Sequence, residues 1–270
     1  MFFNETIVAV ANLIPRVQHL PFLTSLYEAS EYLDKIVLVG QLGSGEAIEK
    51  SYFELTQVCE VVHTVKLADI VADVTDNKKY RNTDTIGQAR VQMFRCLAWE
   101  LKKYNSKNCS VLFLDDDCCL NGLVLRKMLL KYDNLGNGVV CLQSDYRGNV
   151  NRLRQSETFD FFCTLVPSKF VKKACADGEF LNILGRFKTG GEFLFCDWYF
   201  KNLKCVFDLV RKGRSPYFML HLNIKDKRKL WWDWSDKKWN KIEDALAKCK
   251  DIKEAETSLI GLGVINERVG

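Results

Sequence analysis

Residues Ser110 to Leu120 read Ser-Val-Leu-Phe-Leu-Asp115-Asp116-Asp117-Cys118-Cys119-Leu120. Three adjacent carboxylates repel one another, and they are tolerable where a hard divalent cation or several donors neutralise them. Mn²⁺ or Mg²⁺, held by one or two carboxylates together with phosphate oxygens, fits this arrangement better than an all-protein cage. The competing use of such acids is as plain turn residues, because a helix is expected soon after, over Leu123–Leu130. The apolar run before them is β-branched and aromatic. It predicts a buried strand that delivers its acids to a cleft at the carboxyl end.

Two further stretches carry candidate chemistry. Gly190-Gly191-Glu192-Phe-Leu-Phe-Cys196-Asp197-Trp198-Tyr199-Phe200 is a glycine turn leading into an aromatic helix that holds acids. Read from the residues alone, an acid there caps or pairs on the helix. Pro216 to Asn223 is an apolar run that reaches a lone histidine, His221, and a histidine at the end of such a strand is more often structural.

The elements that must position these residues alternate. Thr6–Val10 reads as a buried strand followed by Ala11 and Asn12, Leu20–Leu33 as a helix, Lys35–Val39 as the next strand, a helix begins near Glu46, and Cys59–Val65 is a third strand. A polar loop spans Asp69–Thr83, and a helix runs from Thr85 to about Tyr104 with Val91, Phe94, Cys96, Leu97 and Leu101 roughly on one face. Strand and helix in this order imply a parallel sheet with right-handed crossovers and a ligand at the strands' carboxyl ends. The turn Gly40-Gln41-Leu42-Gly43-Ser44-Gly45 could bring backbone N–H groups to a phosphate or base. Its spacing is not the dinucleotide fingerprint, and a simple tight turn is the preferred reading. Beyond the acids, strands are expected at Gly138–Gln143 and Phe159–Pro167, with a polar loop, Ser144–Thr158, between them. A helix follows at Ser168–Ala176, a strand at Lys204–Leu209 and helical segments after Asn240.

Composition bounds the class. The 270 residues suffice for a large core, and 47% hydrophobic with 27% charged residues is ordinary for a globular chain. No secretory signal or membrane-length apolar run is seen, so a soluble, cytoplasmic protein is expected. The net charge of +5 is uneven, with 14 Lys and Arg against 6 Asp and Glu between Lys201 and Lys250. A solvated charged face explains this more simply than a nucleic-acid partner, and none is expected. Trp231, Trp232, Trp234 and Trp239 stand among those lysines. They suit a lid, a carbohydrate-stacking surface, a peripheral membrane contact through Trp231–Trp239, or the packing of a C-terminal segment over the sheet. The 11 cysteines include no CxxC and only three histidines accompany them, so reduced thiols are expected in place of a zinc site.

The strand ending in Asp115-Asp116-Asp117 resembles the DxD motif of GT-A glycosyltransferases, and Gly87-Gln88-Ala89-Arg90 resembles the helix that family 2 members place before it, with Val91 where they usually have Asn. The resemblance covers roughly Thr6 to Asn223 by element order. It implies a single-domain α/β fold of GT-A type, a Rossmann-like mixed sheet flanked by helices, with a nucleotide half over about 1–120, an acceptor half over 121–223 and a basic, Trp-rich segment over 224–270. It further implies metal-dependent transfer of a sugar from a UDP- or GDP-sugar to a hydroxyl on a glycan, lipid or protein.

In that scheme Asp115, Asp117 and His221 hold Mn²⁺ or Mg²⁺, and Ala11, Asn12, Gln41, Asp69, Arg90, Asp115 and Asp116 surround the nucleotide. Asp197, or else Glu192, is the base of an inverting displacement; with Asp197 in another role a retaining mechanism is open. Asp145, Arg147 and Arg152 are acceptor-side contacts. Cys196-Asp197 stands where the family has Glu-Asp. The acid that usually follows the second strand is replaced by Gln41 and Ser44, which leaves the base unidentified. A phosphohydrolase of the HAD kind also uses a strand ending in DxD but would carry Thr or Val where Cys119 stands. A non-catalytic carbohydrate- or membrane-binding relative is the other alternative.

Overall fold

The computed structural model describes residues 6–13, 19–64, 85–105, 108–116, 118–120, 125, 140–141, 163–187, 195, 219–221 and 252–262. Eight strands lie among them: β1 (Thr6–Leu13), β2 (Lys35–Gly40), β3 (Glu60–Thr64), β4 (Cys109–Asp115), β5 (Cys118–Leu120), β6 (Val140–Cys141), β7 (Cys163–Pro167) and β8 (Met219–His221). The helices are α1 (His19–Ala29), α2 (Glu46–Val58), α3 (Thr85–Glu100), α4 (Ser168–Ala176), α5 (Gly178–Leu184) and α6 (Ile252–Gly261).

Six strands form one sheet in the order β3-β2-β1-β4-β7-β6, and β5 pairs with β8 in a second, two-stranded one. The first four are mutually parallel, β7 runs antiparallel to β4, and β6 antiparallel to β7. The sheet is therefore mixed. Its central strands are buried on both faces, as the unbroken burial of β2 and of β4 up to Leu114 shows, while β3 at the edge is only partly covered.

Alternation along the strands separates two cores. Ile7, Ala9, Ala11 and Leu13 of β1 share a cluster with Ile36, Leu38, Leu112 and Leu114 and with Phe22, Leu23 and Leu26 of α1. On the opposite face Phe113 meets Phe94 of α3 and Phe195, and Phe94 meets Phe180 edge-on at 5.5 Å between ring centroids. Each such aromatic pair adds about 0.5–1.5 kcal/mol beyond its buried area.

The amino end of the sheet closes on a buried charge. Lys35, the first residue of β2, is 1% exposed; its Nζ donates to Glu100 Oε2 at 2.7 Å and pairs with Glu60. Lys103 donates to the same Glu100 oxygen at 2.8 Å. Burial by itself would lower the Lys35 pKa, but the hydrogen bonds with Glu100 and Glu60 more than offset it, and the net displacement is upward. Glu100 shows the mirror case: burial would raise its pKa, and the bonds from Lys103 and Lys35 bring it below the usual carboxylate value.

Several elements differ from the sequence-based expectation in extent. β1 continues through Asn12 to Leu13, since those residues still pair with Val39 and Gly40 on β2. The first helix stops at Ala29 and tightens into a 3₁₀ turn at Ser30–Tyr32, where the Ser30 hydroxyl donates to the Tyr27 carbonyl at 2.7 Å. The run Ser110–Leu120 is two strands, β4 and β5, in different sheets. Helix α5 was not foreseen. Asp177 starts it by accepting the Phe180 N–H at 2.9 Å, and Phe180, Ile183 and Leu184 are buried.

Candidate functional site

In the order β3-β2-β1-β4 the chain moves outward from β1 to β3 and then returns to the other side of β1. The strand order therefore reverses between β1 and β4, and the carboxyl ends of these two strands open a crevice where an α/β sheet binds its ligand. Asn12 and Asp115 face each other in register there.

The three acids are handled differently, and strand alternation is the cause. Asp115, last in β4, shares a face with Phe113, the side on which α3 packs. Arg90 of α3 is buried and donates from Nη2 to Asp115 Oδ1 at 3.0 Å, while about a third of the Asp115 side chain (31%) stays exposed. Asn12 holds the guanidinium in turn. In the amide orientation that satisfies both of its ends, its nitrogen donates to the Ala89 carbonyl at 3.0 Å and its oxygen accepts from Arg90 Nη1 at 3.2 Å.

Asp116 turns to the opposite side, toward α1. It is 3% exposed, and its Oδ2 lies 2.9 Å from Nε2 of the wholly buried His19. The Gly43 N–H donates to the other ring nitrogen, Nδ1, at 2.9 Å. An acceptor at Nδ1 leaves the ring proton on Nε2, so His19 donates to Asp116. Further along α1, the Ser25 hydroxyl accepts the Leu120 N–H at 3.0 Å. Helix α1 thus holds the acidic segment on both sides of Asp117, which itself lies outside the described residues.

The glycine turn after β2 is gripped twice. His63 of β3 donates from Nε2 to the Gly40 carbonyl at 2.8 Å, and His19 takes the Gly43 N–H. Gly40 has φ of +126°, and a Cβ there would collide with the Leu13 carbonyl. The tight-turn reading is the one the geometry supports, because the Gly43 N–H is already spent on histidine. Gln41 and Ser44 on the same turn are exposed. Gly87 has an equally local reason. A Cβ would collide with the Leu184 carbonyl, and its N–H donates to the Phe187 carbonyl at 3.1 Å, so α3 enters against the end of α5.

The other candidates divide by where they fall. Ala11 is buried in β1 beside Leu38 and Leu114. His221 ends β8, whose antiparallel register sets it opposite Cys118, the residue after Asp117. Asp69, Asp145, Arg147, Arg152, Glu192, Asp197 and Trp231–Trp239 lie outside the described residues. Phe195, two residues before Asp197, is buried against Phe94, Phe113 and Phe180. Among the described residues, which include neither Asp117 nor the His221 side chain, no three His, Cys, Asp or Glu side chains gather as a metal site.

His19 is the residue that sequence reasoning missed. A histidine at the start of a helix whose only visible pattern is Leu20, Leu23 and Leu26 gives no local sign of partners 24 and 97 positions away.

No protein-family model and no curated protein matches the sequence. Solved structures do. The model superposes on residues 1–349 of TarS from S. aureus with a TM-score of 0.51 and 13% identity, over 96% of this chain and 71% of that one. This fold is of GT-A type. A second structure, glucosyl-3-phosphoglycerate synthase from Mycobacterium tuberculosis in complex with Mn²⁺, UDP-glucose and phosphoglyceric acid, aligns with a TM-score of 0.46 and 13% identity over 97% of this chain and 81% of that one. With the fold shared with TarS, the β1/β4 crevice is the carboxyl-end crevice of a sheet of GT-A type. No helix among the described residues is long and apolar enough to cross a membrane.

Proposed function

We propose that the protein is a metal-dependent glycosyltransferase that moves a sugar from a nucleotide-diphosphate sugar to a hydroxyl acceptor. The observation that carries this reading is the delivery of Asp115, partly exposed and paired with Arg90, to the β1/β4 crevice of a GT-A sheet. Arg90 answers Asp115 and His19 answers Asp116, which leaves Asp117 as the third acid of the run. A partly exposed Asp115 with Asp117 two residues on suits a divalent cation that brings phosphate oxygens with it.

The donor set fits such a cation. Asp115 keeps part of its carboxylate exposed, and the β5–β8 register carries His221 to the residue after Asp117. Asp115, Asp117 and His221 are the ligands in this reading. When bound, Mn²⁺ or Mg²⁺ supplies charge stabilisation for a leaving diphosphate. Arg90 offers its fork to phosphate oxygens from a position that Asn12 and Asp115 fix in advance, so little rotamer freedom remains to be lost on binding. The buried Asp116 orients the segment from the α1 side.

Residues 1–120 supply the nucleotide side in this scheme and 121–223 the acceptor side. Asp197 takes the acceptor's proton in an inverting displacement, with Glu192 as the alternative base. Phe195, two residues before Asp197 in sequence, is buried against Phe94, Phe113 and Phe180, the core on the face of α3.

Thermal unfolding against UDP, GDP, CMP and ADP, each with and without Mn²⁺, tests the reading. A ligand that binds only the native state raises the midpoint by mass action. The expected result is a rise with one nucleoside diphosphate that requires Mn²⁺ and disappears in Asp117→Ala. No rise with any nucleotide in either condition would remove the donor site.

A further inference from the structure

Both nitrogens of His19 are committed, and to two different parts of the crevice. Nε2–H donates to Asp116 at the end of β4, and Nδ1 accepts the Gly43 N–H from the turn after β2, each at 2.9 Å. These two strands flank β1 on either side. The ring therefore bridges beneath the carboxyl end of β1, from the wall that exposes Gln41 and Ser44 to the acidic floor. We propose that His19 is a positioning residue of the donor subsite. It fixes the spacing between the 41–45 turn and the acidic segment, and Asp116 serves as its tether and not as a ligand of nucleotide or metal. The inference rests on the donor-site reading above.

Three observations support it. Asp116 faces α1 at 3% exposure, whereas Asp115 keeps 31% of its side chain exposed, so only the first of these two acids is offered to a ligand. A buried carboxylate is costly without a donor, and a hydrogen bond that includes a charged partner is among the strongest a side chain can give. The turn is held at its start as well, by His63 on the Gly40 carbonyl, so His19 completes a two-point grip on it. Finally, Ser25 of the same helix takes the Leu120 N–H. One rigid helix then sets the turn and the acidic segment together, and the spacing between them is built in before a ligand arrives.

The test is calorimetric titration of UDP and of GDP, each with Mn²⁺, into the wild-type protein and into His19→Asn, His19→Gln and Asp116→Asn, with thermal midpoints measured in parallel. An amide side chain reproduces one of the two imidazole bonds, so each His19 variant is expected to bind nucleotide about tenfold more weakly while remaining folded. Asp116→Asn keeps an acceptor for Nε2–H and is expected to stay within about threefold of wild type. The double variant His19→Asn/Asp116→Asn should be no weaker than His19→Asn alone. Unchanged affinity in the His19 variants with lowered midpoints would make His19 a packing residue only. A loss in Asp116→Asn larger than in the His19 variants would make Asp116 a direct ligand. Either result overturns the proposal. Ser25→Ala removes the other tie from α1 and is expected to weaken binding about threefold; if neither His19 variant folds, unchanged affinity in Ser25→Ala overturns it. A wild-type protein that binds neither nucleotide removes the donor-site reading itself and this inference with it, a failure visible before any variant is titrated.

Discussion

Both ends of the parallel sheet bury charge, and they do so in opposite ways. At the amino end Lys35 lies between Glu100 and Glu60, and Glu100 between Lys35 and Lys103, so two cations and two acids answer one another in a closed set. At the carboxyl end Arg90 and His19 come from different helices to different acids, and Asp115 is left partly open to solvent. Closed pairing removes the penalty of burial but leaves nothing over for a ligand. The carboxyl end instead leaves one paired acid, Asp115, about a third exposed in the crevice. In the proposed reading, stability and binding belong to opposite edges of one sheet.

That division can be broken by experiment. The largest effect is expected from Asp117→Ala, which should abolish the Mn²⁺-dependent rise in unfolding midpoint with nucleotide while the ligand-free midpoint stays near that of wild type. Glu100→Ala should do the reverse. It leaves the buried Lys35 with Glu60 as its remaining carboxylate and should cost about 3–5 kcal/mol in urea unfolding, with nucleotide affinity of the folded protein unchanged. If affinity fell in step with stability, the two edges would be coupled. Arg90→Lys keeps the charge but loses the planar fork, and about a tenfold weaker nucleotide affinity is expected by titration.

The amino end also carries a pH signature. Glu100 has a folded pKa below its ordinary value of 4.5, so its contribution is complete above that value and is lost as pH falls through the lower folded one. Lys35 is displaced upward from 10.5, so its share is complete below that value and is lost as pH rises through the higher folded one. Urea midpoints of wild type should therefore decline on the acid side below about pH 4.5, and Glu100→Gln should flatten that limb. The smallest effect belongs to Lys50→Ala. Its exposed pair with Glu54 spans 3.9 Å and should be worth no more than about 0.5 kcal/mol, with no change in binding.

The parallel framework was legible because its signals are local. The apolar runs of β1, β2 and β4 and the exact span of α4 follow from periodicity and composition within a few residues of each position. Asp115 was legible for the same reason, as an acid that ends a buried strand. What could not be read is what depends on partners far along the chain. Lys35 looks like an ordinary polar start of a strand, and its burial becomes tolerable only when Glu100, 65 residues later, arrives from α3. His19 is silent until the fold brings Gly43 and Asp116 to either side of its ring. Gly87 looked like part of a ligand motif, yet the close approach of α5 already requires a glycine there. The break between β4 and β5 was hidden as well, since an apolar pattern does not say that Cys118–Leu120 will leave one sheet and pair with residues a hundred positions on.

That last pairing bears on the order in which the molecule is made. Every strand of the six-stranded sheet is encoded by Pro167, but β5 waits for β8 at Met219–His221. A chain emerging from the ribosome carries the whole main sheet while the acidic segment still lacks its antiparallel neighbour. The loop of about a hundred residues that closes the short ladder is paid for late and in one step.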